Sequence, residues 1–360
     1  ANTSIIMKKI FTIILAIIII IIAISAWIYY NEQNVNTTLT VYAAGSLAVP
    51  FTQLQSELES LYPNITINIK FGGSVGLMRE IMNNASVDVF ASADWSIIPE
   101  MYPNYANFDI GFALNQMALV YNNYTLKYLN VSQINDSNWF KILSMPNVKF
   151  GFSDGNVDPA GYSALMVLAL SNLYYHENIF QNIVGKYTNI KIVQRNSSYY
   201  ILLPPTDELS FNTSKIMIEP KETDLLPALE SNQIQFLWIY KSDAIQKKLP
   251  YLSLPDEINM GSTNISIINN YYNKIYVYVG YNSTSQKLIE CRPIIYGITI
   301  PTHAKNIWAA EIFIKFLLER NGQEIMDNAG QTPIYPAYAN NISNVPSMLR
   351  EDVTLSGITP

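Results

Sequence analysis

Two short motifs in the first third of the chain place glycine and serine where a predicted strand gives way to a predicted helix. They are Ala43-Ala44-Gly45-Ser46 and Gly72-Gly73-Ser74. The N–H groups in the first turn of a helix lack an acceptor within the helix, and the helix dipole favours negative charge there. A serine at such a position is most often only an N-cap. Because both motifs follow neighbouring predicted strands, an anion-binding crevice is the better interpretation of the pair.

Two later helix starts carry acidic residues. Asp158 precedes Pro159, which is the usual combination of N-cap and first helical residue. Glu222 opens the segment Lys221-Glu222-Thr223-Asp224, and acids are favoured in a first turn by the helix dipole. Physical chemistry alone therefore leaves Asp158 and Glu222 as capping residues.

Length and composition indicate a globular protein with two lobes. The chain has 360 residues, of which 49% are hydrophobic and 14% charged, and its net charge is -6 at pH 7. This length exceeds what one compact core usually organises. The acidic balance argues against a nucleic-acid partner, which calls for a basic face. It does not argue against an anion pocket, because backbone N–H groups can make a pocket locally positive.

The elements that would position these motifs alternate between strand and helix patterns. We predict strands at residues 39–44, 65–71, 87–91, 148–152, 234–240 and 293–301, and helices ending near 62 and spanning 74–82, 159–174, 223–232 and 308–319. This order predicts an α/β fold with a parallel sheet and right-handed crossovers. The Asn- and Tyr-rich stretch 178–215 is weakly patterned, and we interpret it as an elaboration of one lobe.

The N-terminal region predicts export. Lys8 and Lys9 are followed by the uncharged run 10–30. This run is long enough for a helix that spans a bilayer, which needs about 20 residues. Lysines on its leading side place that side in the cytoplasm and direct the rest of the chain outward. The run is long and ends in Trp27-Ile28-Tyr29-Tyr30, so we favour an uncleaved anchor over a cleaved signal peptide, which leaves the protein on the outer face or secreted.

Cysteine usage and glycosylation sequons agree with export. Cys291 is the only cysteine, which excludes an intramolecular disulfide and a cysteine-based metal site. Sequons beyond the anchor begin at Asn36, Asn64, Asn84, Asn123, Asn130, Asn135, Asn196, Asn212, Asn264, Asn282 and Asn341. Together they indicate a glycoprotein of the outer surface, a composition that fits archaea better than most bacteria.

From about residue 39 to 336 the chain resembles the archaeal molybdate/tungstate-binding proteins of ABC importers, and more distantly the bacterial molybdate receptors. The residues that carry the resemblance occur in order along the chain: Ala43-Ala44-Gly45-Ser46-Leu47, Gly72-Gly73-Ser74, Asp88-Val89-Phe90-Ala91-Ser92-Ala93-Asp94, Asp158-Pro159-Ala160-Gly161-Tyr162, Pro220-Lys221-Glu222-Thr223-Asp224-Leu225-Leu226, Ile239-Tyr240-Lys241-Ser242 and Leu254-Pro255-Asp256-Glu257-Ile258-Asn259.

The resemblance implies roles for particular residues. It implies that the hydroxyls of Ser46 and Ser74 bind the oxyanion, together with the backbone N–H groups of Ala160 and Glu222. It implies that the carboxylates of Asp158 and Glu222 bond the metal centre and raise it from four- to six-coordinate. In the bacterial branch a tyrosine hydroxyl also contributes, and that role falls on Tyr240.

These implied ligands suit the chemistry of the anion. Group VI metals in their highest oxidation state are hard, and oxygen ligands suit them. Two carboxylates would repel sulfate and phosphate, whose central atoms cannot expand their coordination, while molybdenum and tungsten can accept two more oxygens.

The resemblance also implies a two-lobed periplasmic-binding-protein type II fold, with a hinge and a ligand cleft between the lobes. The expected division is 1–30 signal or anchor, 31–38 linker, 38–123 plus 293–339 lobe one, 124–292 lobe two and 340–360 tail. We expect a monomer without a cofactor or catalysis, which closes over the anion and docks on a membrane permease driven by an ATPase. A receptor of the same fold for sulfate, phosphate or ferric ion is the alternative, followed by an enzyme such as a dehydratase.

Other conspicuous residues have simpler interpretations. His176 and His303 lack ligand-like spacing and are expected at the surface or in structural roles. Asp88 and Asp94 flank a strand and a turn, where capping is the expected role, and Cys291 is expected to pack as a small apolar residue.

Overall fold

Strands and helices alternate along most of the chain in a computed structural model, which describes residues 2–34 and 36–358. The strands are β1 (Thr37–Ala44), β2 (Ile65–Gly72), β3 (Val89–Ser92), β4 (Ile110–Leu114), β5 (Met117–Tyr121), β6 (Phe150–Ser153), β7 (Lys191–Arg195), β8 (Ser198–Leu202), β9 (Ile216–Glu219), β10 (Phe236–Tyr240), β11 (Tyr251–Leu252), β12 (Ile275–Val279), β13 (Lys287–Glu290), β14 (Ile295–Thr299), β15 (Thr332–Ala339) and β16 (Val353–Leu355). The α-helices are α1 (Asn2–Asn34), α2 (Ala48–Leu61), α3 (Ser74–Met82), α4 (Thr125–Tyr128), α5 (Trp139–Leu143), α6 (Pro159–Tyr175), α7 (Leu226–Glu230), α8 (Lys241–Lys247), α9 (Asp256–Asn259), α10 (Ile265–Asn270), α11 (Ile307–Leu318) and α12 (Arg320–Asn328).

The described strands form three sheets. The first has the order β16-β15-β4-β14-β3-β1-β2, the second β11-β5-β10-β6-β9 and the third β13-β12-β8-β7. β1 pairs in parallel with both β2 and β3, as the alternation of strands and helices predicted. In the register of β1 and β2, Ala44 lies opposite Gly72. The two Gly–Ser motifs therefore begin side by side at one edge of the first sheet.

The chain passes from the first sheet to the second earlier than the predicted boundary near Asn123. β4 belongs to the first sheet, but β5 already pairs with β10 in the second, so the crossing falls between Leu114 and Met117. The return falls between Glu290 and Ile295, around the predicted Pro293. The predicted tail 340–360 contributes β16 to the first sheet, since β16 pairs with β15, and residues 359–360 lie outside the described part.

The region 178–215, interpreted as an elaboration, contributes two of the four strands of the third sheet. Residues 178–215 contain a short π-helix at Gln181–Gly185 and the hairpin of β7 and β8. β8 pairs in parallel with β12, more than 70 residues away in sequence. Because the two strands are far apart in sequence, no short-range sequence pattern predicts their pairing.

Helix α6 lies between the second and third sheets, and its N-terminus holds Asp158. Fourteen of its residues, from Pro159 to Asn172, are buried, and it packs against β6 and β10 on one side and β12 and β8 on the other. Such burial explains why its sequence is apolar on all faces rather than on one.

Several element boundaries differ from the predicted ones for local reasons. The chain after β1 first forms a 3₁₀ turn at Gly45–Leu47, so α2 starts only at Ala48. The predicted helix 223–232 is a 3₁₀ turn at Glu222–Leu225 followed by the short α7, because Pro227 can occupy only the first turn of an α-helix.

Helix α1 contains the predicted apolar segment. Its stretch Lys9–Tyr30 is 22 residues long and is exposed along its whole length, so it spans about 33 Å at 1.5 Å per residue. The helix continues to Asn34 and β1 begins at Thr37, so little of the predicted linker 31–38 is irregular, and Val35 lies outside the described residues.

Candidate functional site

Four turns that follow strands meet where the first and second sheets face each other. β1 and β2 lead into the turns that hold Ser46 and Ser74. In the second sheet β6 and β9 are also parallel neighbours, and they lead into the turns that hold Asp158 and Glu222. Each lobe therefore contributes two adjacent strand ends, which is the usual location of ligands in open α/β sheets.

The turns of the two lobes are in direct contact. A β-carbon at Gly73 would lie only 2.3 Å from the carbonyl oxygen of Val157, and the N–H of Gly76 donates to that same oxygen at 3.2 Å. A β-carbon at Gly45 would lie 2.7 Å from Cδ of Lys221. Close approach of the lobes therefore requires glycine at position 73, and each Gly–Ser turn faces one acidic turn.

Ser46 is buried within the 3₁₀ turn Gly45–Leu47 and does not cap a helix. Its Oγ forms a hydrogen bond of 2.8 Å with the hydroxyl of Tyr296, in which either oxygen can donate. That hydroxyl also accepts from Nδ2 of Asn115 at 2.9 Å, and Nε2 of Gln331 donates to the carbonyl of Ser46 at 2.8 Å. Residues from three distant parts of the chain thus hold Ser46 in place.

Ser74 is the first residue of α3, and the capping position falls on Gly73 instead. The buried Oγ of Ser74 accepts a hydrogen bond from the N–H of Ala93 at 3.0 Å. A hydroxyl that accepts one hydrogen bond still has its own proton to donate. Neither Ser46 nor Ser74 is the N-cap that its context allowed, so the anion-crevice interpretation retains both.

Asp158 is the N-cap of α6, as its sequence context predicted. Its Oδ1 accepts from the N–H of Ala160 at 3.2 Å, and its Oδ2 accepts from the N–H of Glu222 at 2.9 Å. The two N–H groups that the resemblance assigns to the oxyanion therefore donate to the Asp158 carboxylate in this structure. Burial raises the pKa of Asp158, while a hydrogen bond from the Glu222 carboxyl lowers it.

Glu222 begins its 3₁₀ turn with a side chain that is only 1% exposed. Burial, the charge of Asp158 and a hydrogen bond to the Asp158 carboxyl raise the pKa of Glu222 well above its usual value. Its Oε1 has no hydrogen-bond partner among residues 2–34 and 36–358. Two adjacent buried carboxyls do not both ionise readily, which agrees with the raised pKa of each. Carboxyl oxygens are also the ligands that suit a hard metal centre.

Tyr240 ends β10 directly before α8 and is fully buried. Within the part of the chain that the structure describes, its hydroxyl has no hydrogen-bond partner. Its ring centroid lies 5.9 Å from that of Tyr296. Burial, followed by the influence of Tyr296, Asp158 and Glu222, raises the pKa of Tyr240 well above 10, so the hydroxyl keeps its proton as a donor.

All six residues predicted for the site lie at this junction and are buried: Ser46, Ser74, Asp158, Ala160, Glu222 and Tyr240. Sequence reasoning missed Asp243, Tyr296, Asn115 and Gln331. Asp243 stands in the first turn of α8, just beyond Tyr240, and a third strand-to-helix turn in the second lobe was a usable signal for it. The other three come from distant parts of the first sheet and its connections, where no local motif marks them.

The residues that were given simpler interpretations lie outside the junction or serve it indirectly. His176 and His303 are exposed, and Cys291 is buried. Asp94 caps the 3₁₀ helix Trp95–Met101. Asp88 accepts hydrogen bonds from the backbone N–H groups of Thr40, Lys305 and Asn306. It therefore joins the middle of β1 to the segment before α11.

The two-lobed arrangement, in which adjacent strand ends of each lobe meet at the junction, is typical of solute-binding receptors. A family model described as bacterial extracellular solute-binding protein matches residues 39–331, and the chain belongs to this family.

Two relatives match most of the length of this chain. A protein of Staphylothermus marinus described as an uncharacterized solute-binding protein is 36% identical over 323 residues, which cover 89% of this chain and 90% of that protein. The molybdate/tungstate-binding protein WtpA of Thermococcus kodakarensis is 33% identical over 365 residues, covering 98% of this chain and 99% of that protein. The resemblance to the archaeal molybdate/tungstate-binding proteins is thereby confirmed.

A solved structure supports the fold. The periplasmic molybdate-binding protein of Azotobacter vinelandii superimposes with a TM-score of 0.55, covering 82% of this chain and 98% of that one, at 15% sequence identity. Identity this low speaks for the fold alone. It confirms the predicted two-lobed periplasmic-binding-protein type II architecture.

Proposed function

We propose that this protein captures molybdate or tungstate between its two lobes and delivers it to an ABC importer. The observation that carries the proposal is the buried pair of carboxyls, Asp158 and Glu222, facing two Gly–Ser turns of the other lobe. The name of the Thermococcus kodakarensis relative, molybdate/tungstate-binding protein, supports these two anions as the ligands.

Neutral hydroxyls supply the first set of contacts. A fully deprotonated oxyanion offers only acceptor oxygens, so its partners must be donors. Ser46, Ser74 and Tyr240 each bring an O–H to the junction, and all three are buried. Donors in a buried, water-excluding site interact more strongly with an anion than they would in water.

The carboxyl pair supplies the second set of contacts. Both carboxyls bond the metal in their ionised form, so a proton held by Asp158 or Glu222 passes to the solvent as the anion binds. The N–H groups of Ala160 and Glu222, which donate to Asp158 in this structure, then turn to the oxygens of the anion. The result is a six-coordinate centre with two protein carboxylates, and the protein itself supplies no cofactor and no catalytic step.

Selectivity follows from the same pair of carboxyls. Sulfate and phosphate would meet two buried acids without forming a bond to them, which places like charges together in a medium of low polarity. Molybdenum and tungsten accept the two oxygens and convert that repulsion into bonding. Ferric ion would need none of the hydroxyl and N–H donors that surround the carboxyls.

Isothermal titration calorimetry of the purified protein with tungstate, molybdate, sulfate and phosphate at pH 7 tests the proposal. We expect tungstate and molybdate to bind at least about 100-fold more tightly than sulfate or phosphate, a difference of roughly 2.7 kcal/mol. Sulfate binding as tight as tungstate binding would overturn the assignment and leave only a receptor for small anions.

Closure of the lobes completes the proposed cycle. The polypeptide leaves the first sheet for the second near residues 115–116 and returns to it from the third near residues 291–294, and we place the hinge at these two segments. The closed form is the one that docks on a permease powered by an ATPase. The receptor acts as a monomer, since the two lobes of one chain form the whole junction.

The N-terminal helix places the receptor at the cell surface in this proposal. The apolar stretch Lys9–Tyr30 is long enough to anchor the chain in a membrane. The asparagines of the eleven sequons are exposed or half-buried, so each is accessible to a glycosylating enzyme. Intact-mass spectrometry of the protein from its native membrane distinguishes a retained helix from a cleaved one and counts the glycans on an archaeal surface protein.

A further inference from the structure

An apolar and aromatic surface patch lies at the edge of the first lobe where the chain enters from α1. Leu61, the last residue of α2, is 60% exposed, and Ile307, the first residue of α11, is 44% exposed. The half-buried rings of Tyr62 and Trp308 pack edge to face with their centroids 6.1 Å apart. We call Leu61, Tyr62, Ile307 and Trp308 the anchor-side patch.

Hydrogen bonds place the anchor-side patch at the beginning of β1. The N–H of Thr37 donates to the carbonyl of Asn64, just before β2, at 2.8 Å. From the other side, Nδ2 of Asn306, directly before α11, donates to the carbonyl of Thr38 at 3.0 Å. The patch therefore borders the point at which the polypeptide passes from α1 into the first sheet.

Few residues separate the apolar run of α1 from this point. The apolar stretch ends at Tyr30, α1 ends at Asn34 and β1 begins at Thr37. At 1.5 Å per helical residue and at most about 3.6 Å per extended residue, the start of β1 lies no more than roughly 17 Å beyond the apolar stretch. The headgroup layer on each side of a bilayer is about 5–8 Å deep. A membrane that holds α1 thus brings lipid headgroups close to the patch.

The composition of the anchor-side patch suits the boundary between lipid and water. Tyrosine and tryptophan are enriched at that boundary, because each combines an apolar ring with a polar group. Exposed leucine and isoleucine side chains bury apolar area when they enter the outer part of the acyl layer. Lys305, exposed two residues before Ile307, adds a positive charge that anionic headgroups attract. Contiguous surface of this kind marks an interaction site.

Accepting the membrane anchor that the proposed function includes, we propose that the anchor-side patch rests in the headgroup layer of the same membrane. β1 is eight residues long, so at about 3.3 Å per residue its other end lies ~23 Å farther along the first sheet. Ser46 follows that end. The junction that binds the anion then lies on the side of the first lobe away from the lipid, toward the solution that supplies the anion.

This contact restricts the glycosylation that the proposed function places on the same edge. Asn36 precedes β1 and Asn64 precedes β2, so both sequons border the patch. A glycan on either asparagine would come between the patch and the headgroups. We therefore expect both to stay unmodified in protein from its native membrane, and peptide mass spectrometry that found a glycan on Asn64 would overturn the contact.

Fluorescence quenching of the full-length protein in vesicles tests the contact. Ser60→Cys places a thiol beside Leu61, and Val49→Cys, at an exposed position near the opposite end of α2, is the matched control. Each thiol carries a nitrobenzoxadiazole fluorophore, and the unchanged protein, whose Cys291 is buried, measures background labelling. In vesicles of phosphatidylcholine and phosphatidylglycerol with nitroxide-bearing headgroups, we expect quenching at position 60 to be at least about twofold stronger than at position 49.

Leu61→Glu combined with Ile307→Glu separates the role of the patch from that of the short connection. Both positions are exposed, so the fold tolerates the change, while the added negative charges are repelled by anionic headgroups. Quenching at position 60 should fall to the level at position 49, and the tungstate affinity should stay unchanged.

The outcomes distinguish this inference from the proposals on which it rests. Equal quenching at positions 60 and 49 in protein that floats with the vesicles would overturn the lipid contact and leave the anchor intact. Undiminished quenching in the double glutamate variant would also overturn it. Protein that does not float with the vesicles would remove the anchor and the contact together. None of these results depends on whether the cleft binds tungstate.

Discussion

The first lobe brings to the site hydroxyls that the protein already holds in place, whereas the second lobe brings buried acids and a phenol that it leaves partly uncompensated. Ser46 bonds Tyr296 at 2.8 Å, and Ser74 accepts from Ala93 at 3.0 Å. Oε1 of Glu222 and the hydroxyl of Tyr240 have no such partner anywhere in the described residues.

This difference separates two tasks that one pocket has to perform. Preorganised neutral donors suit any small oxyanion, because every such anion presents acceptor oxygens. A pair of buried carboxyls costs folding free energy, and perturbed acids of this kind concentrate at functional sites. We infer that the first lobe supplies general anion affinity and the second lobe supplies selectivity for an expandable metal centre.

Replacing Glu222 is expected to have the largest effect. Glu222→Gln removes one oxygen ligand to the metal, so the tungstate dissociation constant should rise about 100-fold, or ~2.7 kcal/mol. The ligand-free variant should be at least as stable as the unchanged protein. Because the pKa of Glu222 is raised in the folded state, its contribution to stability is present below the unfolded pKa and is lost as pH rises through the folded pKa.

Calorimetric titration and differential scanning calorimetry at pH 5 and pH 8 check both parts of this prediction. The thermal midpoint of Glu222→Gln minus that of the unchanged protein should be larger at pH 8 than at pH 5. Asp224→Asn, an exposed acid of the same 3₁₀ turn, is the matched control and should bind normally. Tungstate binding within threefold of normal in Glu222→Gln would break the proposed division between lobes.

Gly73→Ala tests the contact between the lobes and is expected to have the second largest effect on tungstate affinity. The new methyl would lie 2.3 Å from the carbonyl oxygen of Val157, so the lobes must separate and every contact that depends on closure weakens. We expect a loss in tungstate affinity of about 30-fold, or ~2 kcal/mol. Gly76→Ala is the control, since its methyl would lie 3.9 Å from the same residue. Equal affinities of the two variants would contradict the closed contact.

Ser46→Ala sharpens the claim that the first lobe is unselective. Removing one hydroxyl donor to a charged ligand should weaken tungstate binding about tenfold. Competition titrations with sulfate should show the same factor for sulfate, so the selectivity ratio stays unchanged, in contrast to Glu222→Gln. A changed ratio in Ser46→Ala would assign part of the selectivity to the first lobe.

Tyr162→Phe should have the smallest effect. The hydroxyl of Tyr162, in the second lobe, donates to the carboxylate of Asp94 in the first, and it closes the cleft without belonging to the anion contacts proposed here. Loss of one hydrogen bond between the lobes should weaken tungstate binding about fivefold. Stopped-flow measurement should place the change in the dissociation rate. An unchanged dissociation rate would indicate that this bond does not hold the closed form.

The sequence predicted those parts of the molecule whose structure depends on short stretches of the chain. The strand-to-helix turns at Ser46, Ser74 and Asp158 follow from local glycine, serine and proline chemistry, and β1, β2 and α6 follow from local patterns. The resemblance, rather than local physics, singled out Glu222 and Tyr240, and their ligand roles stay predictions.

Non-local parts escaped prediction for an equally physical reason. The hairpin of β7 and β8 gains its place by pairing with β12, and the hydroxyl of Tyr296 reaches Ser46 across 250 positions of sequence. No short window contains both partners of such contacts. The crossing of the chain near residue 115 rather than near Asn123 likewise depends on the pairing of β5 with β10.

X-ray absorption spectroscopy of the tungstate-loaded protein tests the bonding of the second lobe's carboxyls to the metal most directly. We predict a six-coordinate tungsten, with two oxygen neighbours beyond the four of free tungstate, and a return toward four-coordination in Glu222→Gln. A four-coordinate spectrum in the unchanged protein, indistinguishable from that of free tungstate, would contradict the metal-bonding role of Asp158 and Glu222.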